Sequence, residues 1–562
     1  MKLLLILTFL FSANAVNLCP LLGPSWPAPT NLSSDATFNL ALQNITTNIQ
    51  NLIESGKFAG NSLSLQVFDK SESVPLLNFS YTDPSINTTI GVTTVDQNTV
   101  FRIGSTSKIF TAFLLLIKDR FHTFNDHVSN YIPEIRDAEF ELFNNATKRE
   151  DGIDFIKWNE ITVRELVSHL AGLARDYGTL DLAEKAPLLE SLGFPALDPA
   201  EIPPAVSRIR AIGHVEFFTG LFQAHPIVSV SSTPIYSNAA FQILGYLVEA
   251  FSSWDFEDVL KRDIIDPLGL SHTFYTPPDT AIGVIPAPQG EYWWNFAFGD
   301  EGPAGGIFST ANDMASLGRA ILNNILLSPL NTRRWLKPQS HTSSLEYGVG
   351  SPWEIVSFKY ERPIDLYTKS GDVGTYSSVF ALDPDHDAGF VILAAGNNTH
   401  ELGALSADTI SETLLPALEE AAKRQANTRF SGTYSQNNSN SSITIATDDG
   451  PGLVVTKWSN NGTNMLQSYA TLNGFTDPSQ LDIRLYPTGL TSPGQLSFRA
   501  VIPPLLPDGI GPFTSSCITW VTLDSHIYGN IGLDEFVFGI GDDGTADSIS
   551  PRALRIILPK TS

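Results

Sequence analysis

Apolar residues recur at three- and four-residue intervals across residues 35–55, a spacing that predicts an amphipathic helix. Residues 62–68 and 76–81 are strand-like runs parted by polar turn residues. A short extended run, 99–103, leads through Gly104 into 106–117, which is apolar on every side (Ile109, Phe110, Phe113, Leu114, Leu115, Leu116). Such a helix belongs in the middle of a domain. From 118 to 360, amphipathic helices such as 163–170 and 239–251 alternate with Pro- and Gly-rich loops. Strands return over 366–395, notably 378–382 and 389–395, and 406–424 reads as a closing helix. Strands, then helices, then strands again predict an α+β domain whose two chain ends meet in one sheet.

The pattern changes near Thr428. Short alternating runs follow at 442–446, 452–458, 481–486, 495–501, 518–523 and 554–558, separated by turns rich in Asn, Asp, Gly and Pro. They predict a smaller all-β domain, a barrel or a sandwich. At the other end, Lys2, an apolar run over 3–11 and the small residues Ala13-Asn14-Ala15 have the form of a secretory signal peptide. That run is too short to cross a hydrocarbon layer about 30 Å thick. The expected organisation is therefore a signal peptide at 1–15, an α+β domain at 16–427 and an all-β domain at 428–562, in an extracellular protein.

At 562 residues with 42% hydrophobic and 17% charged positions, the chain is core-forming and multidomain. A net charge of −25 disfavours phosphate backbones and anionic lipid, so neither nucleic acid nor membrane is an expected partner. Only Cys19 and Cys517 are present. In an oxidising compartment they suggest one bridge, the alternative being two separate buried thiols. Sequons at Asn31, Asn44, Asn78, Asn87, Asn145, Asn397, Asn437, Asn440 and Asn461 permit glycosylation.

Candidate chemistry begins at Ser105-Thr106-Ser107-Lys108. Gly104 lets the chain turn from strand to helix, where unpaired N–H groups favour a developing oxyanion. Lys108 lies one turn on, and in an apolar helix its charged form is disfavoured, so it suits a proton acceptor for Ser105. The plain alternative is a capping serine with a surface lysine. Tyr236-Ser237-Asn238, just before the helix at Ala239, offers a phenol whose pKa a neighbouring ammonium would lower. Asn238 offers an amide to a substrate carbonyl or to the lysine; a buried tyrosine with a capping Asn reads as well. Lys369-Ser370-Gly371, on what the pattern makes an edge strand at 366–371, offers a cation for a substrate carboxylate or for Tyr236. Its Gly leaves room for substrate backbone, while a turn with a solvent lysine is the alternative. Trp293 and Trp294 suit either an acyl pocket or core packing.

In order and spacing the three motifs resemble the signature of the serine β-lactamase and penicillin-binding-protein superfamily. The Tyr-x-Asn middle motif is similar to the class C β-lactamase, D-Ala-D-Ala carboxypeptidase and family VIII esterase branch. So are the segments Ile161 to Leu173, Asp266-Pro267-Leu268-Gly269-Leu270, and Pro303-Ala304-Gly305-Gly306-Ile307-Phe308-Ser309-Thr310 leading to Asp313. The resemblance spans roughly 40–425. It implies a β-lactamase/transpeptidase-like fold: an antiparallel sheet flanked by helices, with a helical subdomain. It also implies acyl transfer through Ser105 with Lys108 and Tyr236 sharing the proton, and substrate held by Asn238, Lys369, Ser370, Gly371 and Asp372. The N–H groups of Ser105 and Asp372 would hold the oxyanion, and His169 would be a packing residue. A secreted chain with a β module resembles secreted fungal β-lactamase-like proteins.

A carboxylate at Asp372 would disfavour acidic lactams, so the expected substrate is a small ester, or else an amide or lactam. Acyl transfer to an alcohol and a non-catalytic binding protein of the same fold are the competing readings. The residues show no Gly-x-Ser-x-Gly elbow, no His-Glu-x-x-His and no phosphate loop, so no cofactor or metal is expected.

Overall fold

The first expected helix runs Ala36–Glu54, capped by Asp35, whose carboxylate accepts from Phe38 N at 2.9 Å. It belongs to a computed structural model that describes residues 19–119, 121–178, 181–203, 214–502, 511, 513–514 and 517–562. The signal peptide expected at 1–15 lies outside those residues. The chain divides into two units. One comprises Thr30–Phe358 and Asp365–Ala417, and the other the stretch ending at Pro29, Lys359–Ile364 and Leu418–Ser562.

The first unit holds β1 (Asn61–Asp69), β2 (Leu77–Tyr81), β3 (Phe101–Arg102), β4 (Phe308–Ser309), β5 (Ser340–His341) and β6 (Tyr347–Val349). Then come β7 (Glu354–Lys359), β8 (Pro363–Val373), β9 (Tyr376–Asp383) and β10 (Ala388–Gly396). Eight of them form one sheet in the order β2-β1-β10-β9-β8-β7-β6-β5, and β3 pairs with β4 apart from it. β1 runs antiparallel to β10 from Asn61↔Gly396 to Asp69↔Ala388. The early and late strands thus meet in one sheet, one strand in from its β2 edge, as the α+β pattern predicts.

β8 corrects one expectation. The strand carrying Lys369 lies between β9 and β7, not at an edge. Residues 354–359, which carried no strand signal strong enough to be read, supply the extra neighbour.

The helix Ser107–Asp119 fills the interior, with Ile109, Phe110, Phe113, Leu114, Leu115 and Leu116 fully buried. It packs on the helix Asn238–Ser252. An interior helix of this kind places anything on its first turn where water is scarce, which fixes the electrostatics of the site. The closing helix is longer than its apolar pattern suggests, Thr399–Phe430, and runs through Pro416.

The second unit is a nine-stranded sheet between Gly432 and Pro559. Its core gathers Phe430, Tyr434, Trp458, Phe498 and Phe538, together with Trp26 from the beginning of the chain. Cys19 is bonded to Cys517. The stretch before Pro29 therefore groups with the strand-rich unit rather than opening the other one.

Two strand expectations fail here. Residues 518–523 form the short helix Thr519–Thr522, because Thr519 is tied to the N-terminal stretch by Oγ1 donating to Pro20 O at 3.0 Å while Trp520 and Val521 face solvent. Residues 554–558 start from the last residue of the turn Arg552–Leu554 and reach the sheet only at Leu558–Pro559. Strands without an expectation from the sequence form instead at Glu535–Ile540 and Ala546–Pro551. Of the sequons, Asn31, Asn44, Asn78, Asn145, Asn397, Asn440 and Asn461 are exposed and Asn87 is half-buried. The side chain of Asn437 lies outside the described set.

Candidate active site

β3 delivers the chain to Gly104, which turns at φ +50° into the single 3-10 turn Gly104–Thr106 and then into the buried helix. The turn is fixed to the sheet: Ser378 Oγ donates to Ile103 O at 2.7 Å and lies 2.7 Å from Thr106 Oγ1. A side chain at Gly104 would come within 2.6 Å of Asp372 N. One at Gly371 would come within 2.1 Å of Ile103 O and 2.7 Å of Ser105 N. The two glycines let β8 lie directly on the Ser105 turn, so the backbone N–H groups of Ser105 and Asp372 are neighbours.

Ser105 Oγ accepts from Lys108 Nζ at 3.0 Å and from Tyr236 OH at 2.6 Å. Lys108 also donates to Asn238 Oδ1 at 2.6 Å and to Ala304 O at 2.7 Å. Asn238 Nδ2 in turn donates to Asp176 Oδ1 at 2.7 Å, which fixes the amide so that its oxygen faces the amine. Both groups behind the amine are pure acceptors and claim two of its N–H bonds. Its third position, whether N–H or lone pair, points at Ser105.

Burial holds Lys108 below the usual lysine range, and the Lys369 charge adds to that fall while Tyr236 opposes it. For Tyr236 burial pushes the phenol up. The cations Lys108 and Lys369 and the hydrogen bonds at its oxygen outweigh burial, and its pKa falls. Its ring lies 4.9 Å from Lys108 Nζ, 5.3 Å from Lys369 Nζ and 5.1 Å from the Arg175 guanidinium carbon.

His169 stacks on the same ring, centroids 4.6 Å apart, and its Nδ1 accepts from Ser237 N at 3.2 Å. Burial, and then the charges of Lys108 and Lys369, keep the imidazole well below its ordinary pKa, hence neutral. It positions the tyrosine.

Strand alternation sorts the third motif. Lys369 and Gly371 face the Ser105 turn, and Ser370 and Asp372 project to the opposite side of the sheet. Asp372 accepts there from Ser377 Oγ at 2.5 Å and lies 3.1 Å from His400 Nδ1. Only its backbone faces Ser105. The acid beside Lys369 is Glu354 of β7, which forms a short ion pair with its amine and was not foreseen from the sequence. Glu354 Oε2 also accepts from Ser370 N at 2.8 Å and Ser370 Oγ at 2.7 Å.

Trp294 is fully buried, its indole N–H donating to Pro278 O at 3.0 Å, which makes it a core residue. Trp293 packs where a side chain at Gly374 would be, against the β8–β9 turn. Phe298 lies 3.6 Å from the Cβ position of Gly305, itself 3.8 Å from Gly104. Arg102, buried with no carboxylate partner among the described residues and pulled by burial down to about 10, donates to Trp294 O at 2.8 Å and also to Phe296 O. It pins this aromatic loop beside the Ser105 turn. Neither Arg102, Asp176 nor Glu354 carries a motif signal.

The sequence matches the family model described as Beta-lactamase over residues 61–415, and one described as Beta-lactamase-like-like, C-terminal domain, over 422–562. Similar curated proteins include a beta-lactamase-like protein of Arthroderma benhamiae, 27% identical, covering 92% of this chain and 91% of the relative. The probable hydrolase M10 of a Phoma species is 25% identical, covering 79% of this chain and 73% of its own. Among solved structures, a D-stereospecific amidohydrolase from Streptomyces aligns with TM-score 0.46 and 17% identity, covering 66% of this chain and 98% of that one.

Proposed function

The chain belongs to the beta-lactamase family, and on that footing we propose that it is a secreted serine hydrolase that cleaves small esters, and secondarily amides, through an acyl-enzyme at Ser105. The observation that carries the reading is a hydroxyl held simultaneously at 3.0 Å from a buried amine and 2.6 Å from a phenol of lowered pKa. Asn238 and Ala304 occupy two N–H bonds of Lys108, so a neutral Lys108 directs its lone pair at Ser105.

Ser105 Oγ forms a bond to the substrate carbonyl carbon, and its proton passes to the Lys108–Tyr236 pair. The carbonyl oxygen becomes an oxyanion facing the N–H groups of Ser105 and Asp372. As the intermediate collapses, the bond to the leaving alkoxide breaks, and Tyr236 returns the proton to it. Water then adds to the acyl carbon, giving its proton to Tyr236, and the carboxylic acid departs as Ser105 is reprotonated. Phe298 and Trp293 offer apolar walls to an acyl chain. Export through the secretory route is part of the reading, and the Cys19–Cys517 bridge supports an oxidising compartment.

Labelling with a fluorophosphonate, followed by peptide mapping, tests the nucleophile: the adduct is expected on Ser105. Ser105→Ala should abolish turnover of p-nitrophenyl esters, and undiminished turnover would move the chemistry elsewhere.

A further inference from the structure

The ammonium of Lys369 is 1% exposed and already committed: it is ion-paired to Glu354, donates to Ser370 O at 2.7 Å and faces the Tyr236 ring at 5.3 Å. Glu354 is equally engaged. One oxygen takes Lys369, and the other takes both the backbone N–H and the hydroxyl of Ser370. Resting on the reading of Ser105 as nucleophile, we infer that Glu354 sets the charge preference of the cleft. By occupying Lys369 it closes the position where a substrate carboxylate would dock, and it selects esters or amides that carry no carboxylate beside the reacting bond.

The physical argument is one of substitution. A carboxylate entering from the substrate reaches the Lys369 amine only by displacing a resident carboxylate fixed at both oxygens. It otherwise meets an amine whose charge is already cancelled. Burial lowers Lys369 and Glu354 raises it, with the net shift upward, so the pair remains charged and sums to zero. The exposed cation over the same phenol, Arg175, is also balanced: its Nε is 3.4 Å from Asp176 Oδ2. Asp372, whose sequence position first suggested discrimination against acids, is turned to the other side of the sheet. The discriminating group is therefore a residue fifteen positions before Lys369, delivered by strand pairing.

The test compares two fluorophosphonates, one with a neutral alkyl chain and one carrying a carboxylate close to phosphorus. Rates of Ser105 modification are read by intact mass in the full chain. Wild type is expected to react about tenfold faster with the neutral reagent, the order of cost of seating a carboxylate that finds no free cation. Glu354→Gln should bring the two rates to near parity, and Glu354→Asp should retain the preference. Lys369→Gln, which leaves the acid without its cation, should widen it, so the expected shifts have opposite signs and a general loss of structure cannot produce both. An unchanged ratio in both Glu354→Gln and Lys369→Gln would overturn the inference. So would a wild-type preference for the carboxylate reagent that is lost in Arg175→Ala. Failure of both reagents to modify Ser105 in wild type would instead refute the nucleophile, and the inference with it.

Discussion

Two buried ammonium groups approach the Tyr236 ring, Lys108 at 4.9 Å and Lys369 at 5.3 Å, and their surroundings drive them apart. Lys108 rises from an apolar helix and meets only neutral oxygens, those of Ser105, Asn238 and Ala304, so burial lowers its pKa. Lys369 is as deeply enclosed, yet Glu354 on the adjoining strand reverses the direction. One carboxylate turns the same residue type from a group able to give up its proton into a fixed charge. The region around Lys108 thus suits proton transfer, while the region around Lys369 supplies a constant field that helps lower the Tyr236 phenol.

The largest test of that contrast is at Lys108. Lys108→Met is expected to lower kcat/KM for p-nitrophenyl esters about a thousandfold or more, and Lys108→Arg should not restore it, because a guanidinium does not release its proton. Recovery in the arginine variant would erase the distinction between the two lysines. Lys369→Met should cost less, about ten- to a hundredfold. It should also move the acid limb of the pH–rate profile upward, since Tyr236 loses one of the two cations that lower its pKa and the phenolate then forms only at higher pH. A limb that stays in place would show that Lys369 does not tune the phenol.

Gly371→Ala tests the contact between the two regions. Its Cβ would stand 2.1 Å from Ile103 O. The expected cost is about 1–3 kcal/mol in thermal unfolding, together with weakened turnover.

The smallest effect concerns stability and pH. Glu354 has a folded-state pKa below its usual 4.5, so its contribution is present above that value and fades as pH falls through the folded pKa. Lys369, raised above 10.5, contributes throughout the neutral range and loses its part only as pH climbs through its own folded pKa. Glu354→Gln should therefore be less stable than wild type by about 1–2 kcal/mol near neutrality, modest because a third of the Glu354 side chain is exposed, and the gap should close in acid below about pH 4.5. Melting curves across pH 3–8 report it, and a gap that persists in acid would contradict the assignment.

Ser105, Lys108, Tyr236 and Asn238 are legible in the sequence because each pair is separated by less than one helical turn. A spacing of three on a helix, or of two before one, has few geometric outcomes. The buried helix is equally legible, since an all-apolar stretch has only one place to go. Glu354 is not, because it reaches Lys369 across a strand pair, and local pattern does not say which strands become neighbours. The same gap in knowledge made β8 read as an edge. Asp372 is legible as a backbone donor, but its side-chain direction follows from strand parity, which the motif does not state. In the strand-rich unit, residues 535–539 alternate in burial, yet Gly539 within the strand and Gly541 and Gly544 just after it mask the strand among turn residues.

The bond between Cys19 and Cys517 closes a loop with a sequence separation of 498. A protease that nicks the chain anywhere inside that loop yields two fragments that still migrate as one band until a reductant is added. A preparation judged intact on a non-reducing gel can thus consist largely of cut molecules. Material synthesised in a reducing cytosol would lack this clasp, and its fragments would separate on a denaturing gel after the first cut.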